Sequence, residues 1–383
     1  MPKVPSWYLT VRMSRMADKI APHKKAVRVK KKPLVAMFGP DLGLKGGISF
    51  VVLEYLKAGL HRKMPFIFIP TTTEGSRIKN ALFFLKCIII TLRTMMRSRV
   101  DICHLHVSHY GSFYRKWVIF RIAKIFRCKV MVHIHGSNFE RFMTENSFNR
   151  WMTRTVFNRA DRVIVLSDEW KAGIEKFADK SHVVKLFNPA PRPRWVAVDH
   201  TRSALNILFL GRLSTRKGVY DLLECIGARR AFYEELGVRF TIAGDGDVDA
   251  VRAIVNRDGL NAIVNVPGWI SGKVKERYLS NADIYVLPSY HEQLPMSILE
   301  AMAYGLPIVS TWVAGIPELV EDGVNGHLVD PGDIDGLGNA LRTLVMSKEK
   351  RLSMGRESRQ RVAGIFDAEK MITRELTALY ERL

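Results

Sequence analysis

A 383-residue chain with 47% hydrophobic residues and a mean hydropathy of −0.02 is about twice the common domain size and has apolar residues for two packed cores. Its four cysteines (Cys87, Cys103, Cys128, Cys225) show neither CxxC nor disulfide spacing, which fits buried thiols in a reducing compartment and excludes a disulfide scaffold. The net charge of +22 sits in one half: residues 1–200 hold 37 Lys and Arg against 13 Asp and Glu, residues 201–383 hold 22 against 24, and such asymmetry points to an acidic partner surface.

Taken in order, Met1–Lys32 is basic and lacks the continuous apolar core of a secretory leader. Short apolar runs then alternate with longer helical patterns, the sign of βαβ units and parallel sheets. Strands are predicted at LVAMFG (34–39), FIFIP (66–70), ICHLHV (102–107), KVMVHIH (129–135), RVIVLS (162–167) and HVVKLF (182–187). Helices are predicted over 47–62, 77–98, 113–127, 147–160 and 168–178. The proline-rich FNPAPRPRWVAVDHTRS marks a hinge. A second series follows at NILFLG (206–211), RFTIAG (239–244), IVNVPG (263–268), DIYVLP (283–288), PIVS (307–310) and GHLVD (326–330). The amphipathic DAEKMITRELTALYERL closes the chain.

The expected organisation is α/β: two Rossmann-like, doubly wound parallel-sheet domains facing a cleft. A basic extension (1–32) leads into a first domain (33–190), a linker (191–203), a second domain (204–365) and a C-terminal helix (366–383) returning to the first. Ligands of such sheets bind beyond the carboxyl ends of strands, and the motifs fall there.

HEQLPMSILEAMAYGLPIVS (291–310) places Glu292 and Glu300 eight positions apart around a helix start, with Leu294, Pro295 and Met296 between them. A helix N-terminus offers free backbone N–H groups and partial positive charge to a phosphate, while two flanking acids can hold sugar and ribose hydroxyls. GRLSTRKG (211–218) follows its strand directly, and Arg212 and Lys217 can neutralise a pyrophosphate. GPDLGLKGGIS (39–49) is not a GxGxxG fingerprint, which weakens a dehydrogenase reading, but Gly46 and Gly47 would let a backbone approach phosphate.

His104 and His106 alternate on one predicted strand, and His133 and His135 on the next. With no helical His pair, adjacent Cys or third carboxylate, a metal is not expected; the more ordinary use is as satisfied core or cleft-edge residues. His135 ends its strand and is placed to contact substrate. AGDGDVDA (243–250) lacks the pattern of a calcium loop and reads as a strand-to-helix turn. In helix 77–98, Lys79, Lys86, Arg93 and Arg97 share one stripe, and in 113–127 Arg121 and Lys124 oppose Val118, Ile119, Ile122, Ile125 and Phe126. The apolar residues are expected to pack inward and the cationic stripes to meet anionic lipid. The run 81–92 is too short to span a bilayer.

Taken in order, GRLSTRKG, AGDGD, VPGWI, EQLPMSILEAMAYGLPIVST, AGIPELV and DGVNGHLV make the chain resemble the family-4 retaining glycosyltransferases of GT-B architecture, strongly in the second half. The resemblance implies that Arg212 and Lys217 hold a donor diphosphate and that Glu292 contacts the donor sugar. Glu300 would bind the ribose, Leu294, Pro295 and Met296 would offer backbone groups, and Gly268 and Ile270 would border the base. The Gly46–Gly47 loop would approach the diphosphate, and His135 would hydrogen-bond the transferred sugar. Gln293 departs from the pattern, which commonly has glycine there.

The expected reaction is hexosyl transfer from a UDP- or GDP-sugar, without metal or other cofactor, by same-face attack with retention. The expected acceptor is a polyprenyl-diphosphate-linked saccharide in bacterial surface or exopolysaccharide assembly, at the cytoplasmic face of the plasma membrane. A nucleotide-sugar epimerase or hydrolase of the same fold is one rival. A nucleic-acid-binding protein is another, opposed by the lack of helix-turn-helix, RNP aromatics or zinc spacing.

Overall fold

The structure, a computed structural model, describes residues 32–137, 139–179, 182–192 and 204–383. The extension read at 1–32, apart from Lys32, and the linker from residue 193 onward lie outside these residues. The chain forms two compact units. The first comprises residues up to Val165, Lys171–Leu186 and Glu369–Leu383; the second comprises Leu166–Trp170 and Phe187–Ala368.

In the first unit Val35–Gly39 (β1), Phe66–Pro70 (β2), Ile102–Val107 (β3), Lys129–Ile134 (β4), Arg162–Val165 (β5) and Val183–Lys185 (β6) make one parallel sheet, ordered β2-β1-β3-β4-β5-β6. These are the six runs the sequence marks. All six β3 residues are buried, which is why they read as a continuous run instead of an alternation. Helices Gly47–Lys57 (α1), Arg77–Arg97 (α2), Gly111–Ile125 (α3) and Ser147–Arg159 (α4) accompany the sheet. Ser76 caps α2, its hydroxyl accepting from the Lys79 N–H at 3.3 Å. The C-terminal residues complete this unit: Met371, Ile372, Leu376 and Tyr380 are buried.

In the second unit Leu205–Leu210 (β7), Val238–Ala243 (β8), Val264–Gly268 (β9), Ile284–Leu287 (β10), Ile308–Thr311 (β11) and Gly326–Val329 (β12) pair in parallel in the order β12-β11-β10-β7-β8-β9. Counted from β7, this is the 3-2-1-4-5-6 order of a dinucleotide-binding sheet, and its direction reverses between β7 and β10. The register sets Ile207 beside Ile284 and Leu208 beside Tyr285. The chain therefore leaves β7 into Gly211–Gly218 and leaves β10 toward Glu292 side by side, on the crevice where such sheets bind ligands. Val219–Ala228 (α5), Gly272–Asn281 (α6) and Met296–Ala303 (α7) are the helices nearest the motifs in sequence.

Two glycines are required by this crowding. Gly218 has φ +66°, and a Cβ there would stand 1.8 Å from the Pro288 carbonyl oxygen. At Gly315 a Cβ would stand 2.0 Å from the Gln293 carbonyl oxygen, so the AGIP turn can close against the acidic loop only with glycine.

The cationic helix departs from expectation. Cys87, Thr91 and Met95 face inward, but Ile78, Leu82, Leu85, Ile89 and Met96 point outward, with Leu82 at 62% and Leu85 at 57% exposure. The outward residues, spaced four, three, four and seven, form one stripe. The helix thus carries two apolar faces and not one, because a single sheet face can cover only one of them. Ile125, at the end of α3, is likewise 75% exposed.

Candidate active site

Loop 211–218 is tied to the chain beyond β10. The Tyr290 N–H donates to the Arg216 carbonyl at 2.9 Å, and Arg216 Nη1 donates to the His291 carbonyl at 2.8 Å. These bonds bring Lys217 onto Glu292, where Nζ donates to Oε1. Ser289 Oγ donates to the same oxygen at 2.8 Å. Glu292 is only 7% exposed, so this carboxylate is held by two donors in a poorly hydrated place. Arg212 lies at the outer edge, its Nη1 3.9 Å from Asp245 Oδ2, and it is mostly exposed.

Glu300, on α7, is also 7% exposed and pairs with Lys275 of α6. The two acids are thus each matched to their own lysine. Behind them, Tyr285 is fully buried and donates to the Leu210 carbonyl at 3.0 Å; burial first, then the neighbouring carboxylates, push its phenol well above the ordinary range. Leu294 is buried, its carbonyl accepting from Asn188 Nδ2 at 3.1 Å, and Pro295 stands at the N-cap of α7 before Met296. Gly268 ends β9 at φ +80°, and Ile270 packs partly against the core.

Lys275, Ser289 and Arg216 were not singled out from the sequence. Ser289 lies two positions past the end of β10, a usable signal, but Lys275 lies 25 positions from its carboxylate in an ordinary polar helix and carries none.

The remaining candidates, Gly46, Gly47 and His135, belong to the first unit. Gly46 caps α1 at φ 151°, and neither glycine has an atom within 4 Å of where a Cβ would lie, so the loop leaves open space. The histidines form an unexpected array. His104, His106 and His133 are fully buried, with ring centroids 4.5 Å apart for His104 and His106 and 4.1 Å for His133 and His135. His104 Nδ1 lies 2.7 Å from the Tyr380 hydroxyl and His106 Nδ1 lies 2.9 Å from His135 Nε2. Among the described residues His104 Nε2, His106 Nε2 and both nitrogens of His133 meet no hydrogen-bonding side chain or backbone group.

Nitrogens of His104, His106 and His133 lie within 4.8 Å of one another, close enough to suggest a cation site. Yet His104 is stacked on both others, at interplanar angles of 22° and 11°, and the charged side chain acting on His106 is the buried ammonium of Lys116. Face-to-face rings do not converge their lone pairs on one point, and the neighbouring Lys116 ammonium opposes a dication. The set suits neutral imidazoles. Burial lowers His104 and His135 to about 3 and holds His106 and His133 well below the ordinary range; it also lowers Lys116 to about 7.

Two units, each with a six-stranded parallel sheet, are the architecture of the GT-B glycosyltransferases. Residues 204–347 match the family described as Glycosyl transferases group 1, and residues 77–189 the Glycosyl transferase 4-like domain. The two regions together span more than half of the chain, which belongs to this glycosyltransferase family. It is 26% identical over 340 residues to the putative colanic acid biosynthesis glycosyltransferase WcaL of Escherichia coli, covering 85% of this chain and 80% of that protein. It is 28% identical over 296 residues to the amylovoran biosynthesis glycosyltransferase AmsK of Erwinia amylovora, covering 74% and 70%. Among solved structures, sucrose-phosphate synthase from Thermosynechococcus elongatus superposes with a TM-score of 0.76 at 17% identity, over 92% of this chain and 99% of that one. HepE from Anabaena, in complex with UDP and glucose, gives 0.71 at 18%, over 90% and 98%. At such identities the structures speak for the fold.

Proposed function

We propose that this glycosyltransferase moves a hexose from a UDP- or GDP-sugar to a lipid-linked saccharide in polysaccharide biosynthesis, with retention at the anomeric carbon. The carrying observation is Lys217 and Ser289 converging on Glu292 at the reversal point of the second sheet, just before the N-terminus of α7. The names of WcaL and AmsK, and the UDP and glucose held by HepE, support the polysaccharide and nucleotide-sugar parts.

In this reading Arg212 and Lys217 take up the charge that grows on the departing diphosphate, so no divalent ion is required. Glu292 contacts the sugar, and Glu300 accepts the ribose hydroxyls as Lys275 shifts toward solvent. Leu294, Pro295 and Met296 present backbone to sugar and phosphate, and Gly268 and Ile270 border the base. Gly46 and Gly47 leave space for the diphosphate, and His135 hydrogen-bonds the transferred sugar. The acceptor hydroxyl attacks from the face the diphosphate leaves, which takes its proton.

The acceptor, taken to be a polyprenyl-diphosphate-linked saccharide, would place the protein peripherally on the cytoplasmic face of the membrane. Helix α2 supports this. It contains no acid, and its exposed apolar stripe is flanked by Lys79, Lys86, Arg93 and Arg97. Helix α4 adds exposed Phe148 and Trp151 beside Arg150 and Arg154. Among the described residues no helix is long and apolar enough to cross a membrane.

A thermal-shift screen of UDP, GDP and ADP with their sugars, followed by product analysis with and without lipid-linked acceptor, tests the proposal. A cognate donor raises the melting point. Donor turnover that needs no acceptor would instead establish an epimerase or hydrolase.

A further inference from the structure

The contact between His106 Nδ1 and His135 Nε2, at 2.9 Å, allows two arrangements of one hydrogen. If His135 donated, His106 would carry its own hydrogen on Nε2. That atom is fully enclosed and meets no acceptor among the described residues. Leaving a buried N–H without an acceptor costs about 1–3 kcal/mol, and His133, with neither nitrogen partnered among the described residues, already bears that cost once. If His106 donates, the enclosed nitrogen keeps only a lone pair, which is tolerated better. Charging His106 on both nitrogens is no third option. It is buried among three other imidazoles with the Lys116 ammonium in reach, and all these oppose the cation.

We infer that His106 is a positioning residue whose Nδ1–H donates to Nε2 of His135, fixing His135 as the tautomer with its hydrogen on Nδ1. That ring nitrogen makes no hydrogen bond among the described residues and belongs to a half-buried side chain, so it remains available. His135 therefore offers a donor, not an acceptor. Its complement is an oxygen with a free lone pair, such as a sugar hydroxyl or ring oxygen; this last step rests on the function proposed above. The tautomer of a histidine is set by what its other nitrogen does, and here the setting residue stands on the neighbouring strand. His104 repeats the arrangement one step deeper, with Nδ1 facing the Tyr380 hydroxyl and Nε2 enclosed. The array thereby orients its rings without any charge.

The test uses the full chain labelled with [15N]histidine and long-range 1H–15N correlation across the rings, with the His135 signals identified by their loss in His135→Asn. Wild-type His135 should show the hydrogen on Nδ1; an Nε2–H form would overturn the inference. His106→Asn keeps an N–H near the Nδ1 position, and His106→Leu does not. His106→Leu should release His135 from its tautomer and lower kcat about tenfold to a hundredfold, the range typical of residues that orient a functional histidine, with donor KM little changed. His106→Asn should restore both the tautomer and most of the rate. A His106→Leu protein with unaltered tautomer and rate would reduce His106 to packing. If no variant nor the wild type turned over a donor sugar, the Nδ1–H signal would still uphold the positioning while the proposed reaction fell. Should both His106 variants fail to fold, the wild-type spectrum alone decides.

Discussion

Lys217 and Glu292 form a nearly buried ion pair between the loops that follow β7 and β10, and Ser289 donates to the same carboxylate oxygen. The pair is costly to bury and costly to break, because either partner alone would be an uncompensated charge in a poorly hydrated place. In the free protein Lys217 is therefore already positioned. If Lys217 holds the donor as proposed, an arriving diphosphate would compete with Glu292 instead of ordering a mobile side chain.

Replacing Lys217 with Ala should lower the rate of nucleoside-diphosphate release about a hundredfold or more, the effect of removing one preorganised donor to developing negative charge. It should also destabilise the protein by about 3 kcal/mol, since Glu292 is left buried and unpaired. Arg212→Ala, at an exposed site, should show the loss of rate with little change in melting temperature. Near-normal turnover in both variants would refute the diphosphate assignment. Chelation with EDTA should leave wild-type turnover unchanged.

Glu300 and Lys275 should act on binding more than on chemistry. Glu300→Gln keeps the size of the side chain but removes the strong acceptor, and should weaken nucleotide binding about tenfold by calorimetry, the loss of one charged hydrogen bond. Equal loss of affinity and turnover for donors with and without a ribose 2′-hydroxyl would show that Glu300 does not hold that sugar.

The outer stripe of α2 makes membrane attachment measurable. Wild-type protein should sediment with anionic vesicles and be released as salt rises. Leu82→Asp with Leu85→Asp should abolish sedimentation without lowering the melting temperature, because both side chains already face solvent. Lys86→Glu with Arg93→Glu should remove the preference for anionic over neutral lipid. Equal binding of wild type to neutral vesicles would contradict the electrostatic part.

The histidine array predicts how stability follows pH. His104 titrates at about 3 in the folded chain and near its ordinary value when unfolded. Between those values the unfolded state binds the extra proton, so stability is complete above about pH 6.5 and declines as pH falls toward 3. Each such group contributes up to about 1.4 kcal/mol per pH unit. Melting temperature should thus drop from pH 7 to pH 5, and less steeply in His104→Phe than in wild type. Parallel slopes would show that burial of this ring does not govern acid sensitivity.

The central strands were legible because strands such as β1 and β10 are buried on both faces and so spell a short unbroken apolar word bounded by glycine or proline, as in LVAMFG and DIYVLP. The carboxylate motif was legible because its two acids, its turn and its helix start all fall within one short stretch. Lys275 was not, since its meaning comes from pairing across 25 positions that a sequence pattern does not encode. Helix α2 misled in a different way. Apolar residues on both sides of a helix look like core, and only the sheet's finite area shows that one side is left over. The four histidines were visible as alternating pairs, but the missing partners of their nitrogens depend on what packs above the sheet.

The first unit draws its last piece from the end of the chain, where Tyr380 reaches His104 and Met371, Ile372 and Leu376 fill the core. During synthesis the opening domain therefore emerges first and is completed last, after the whole second domain has been made. Until then its central histidines and Tyr55 remain uncovered on one side. A fragment ending near residue 186 should be prone to association. A permuted chain that joins Glu369–Leu383 directly to the first domain should fold that domain alone.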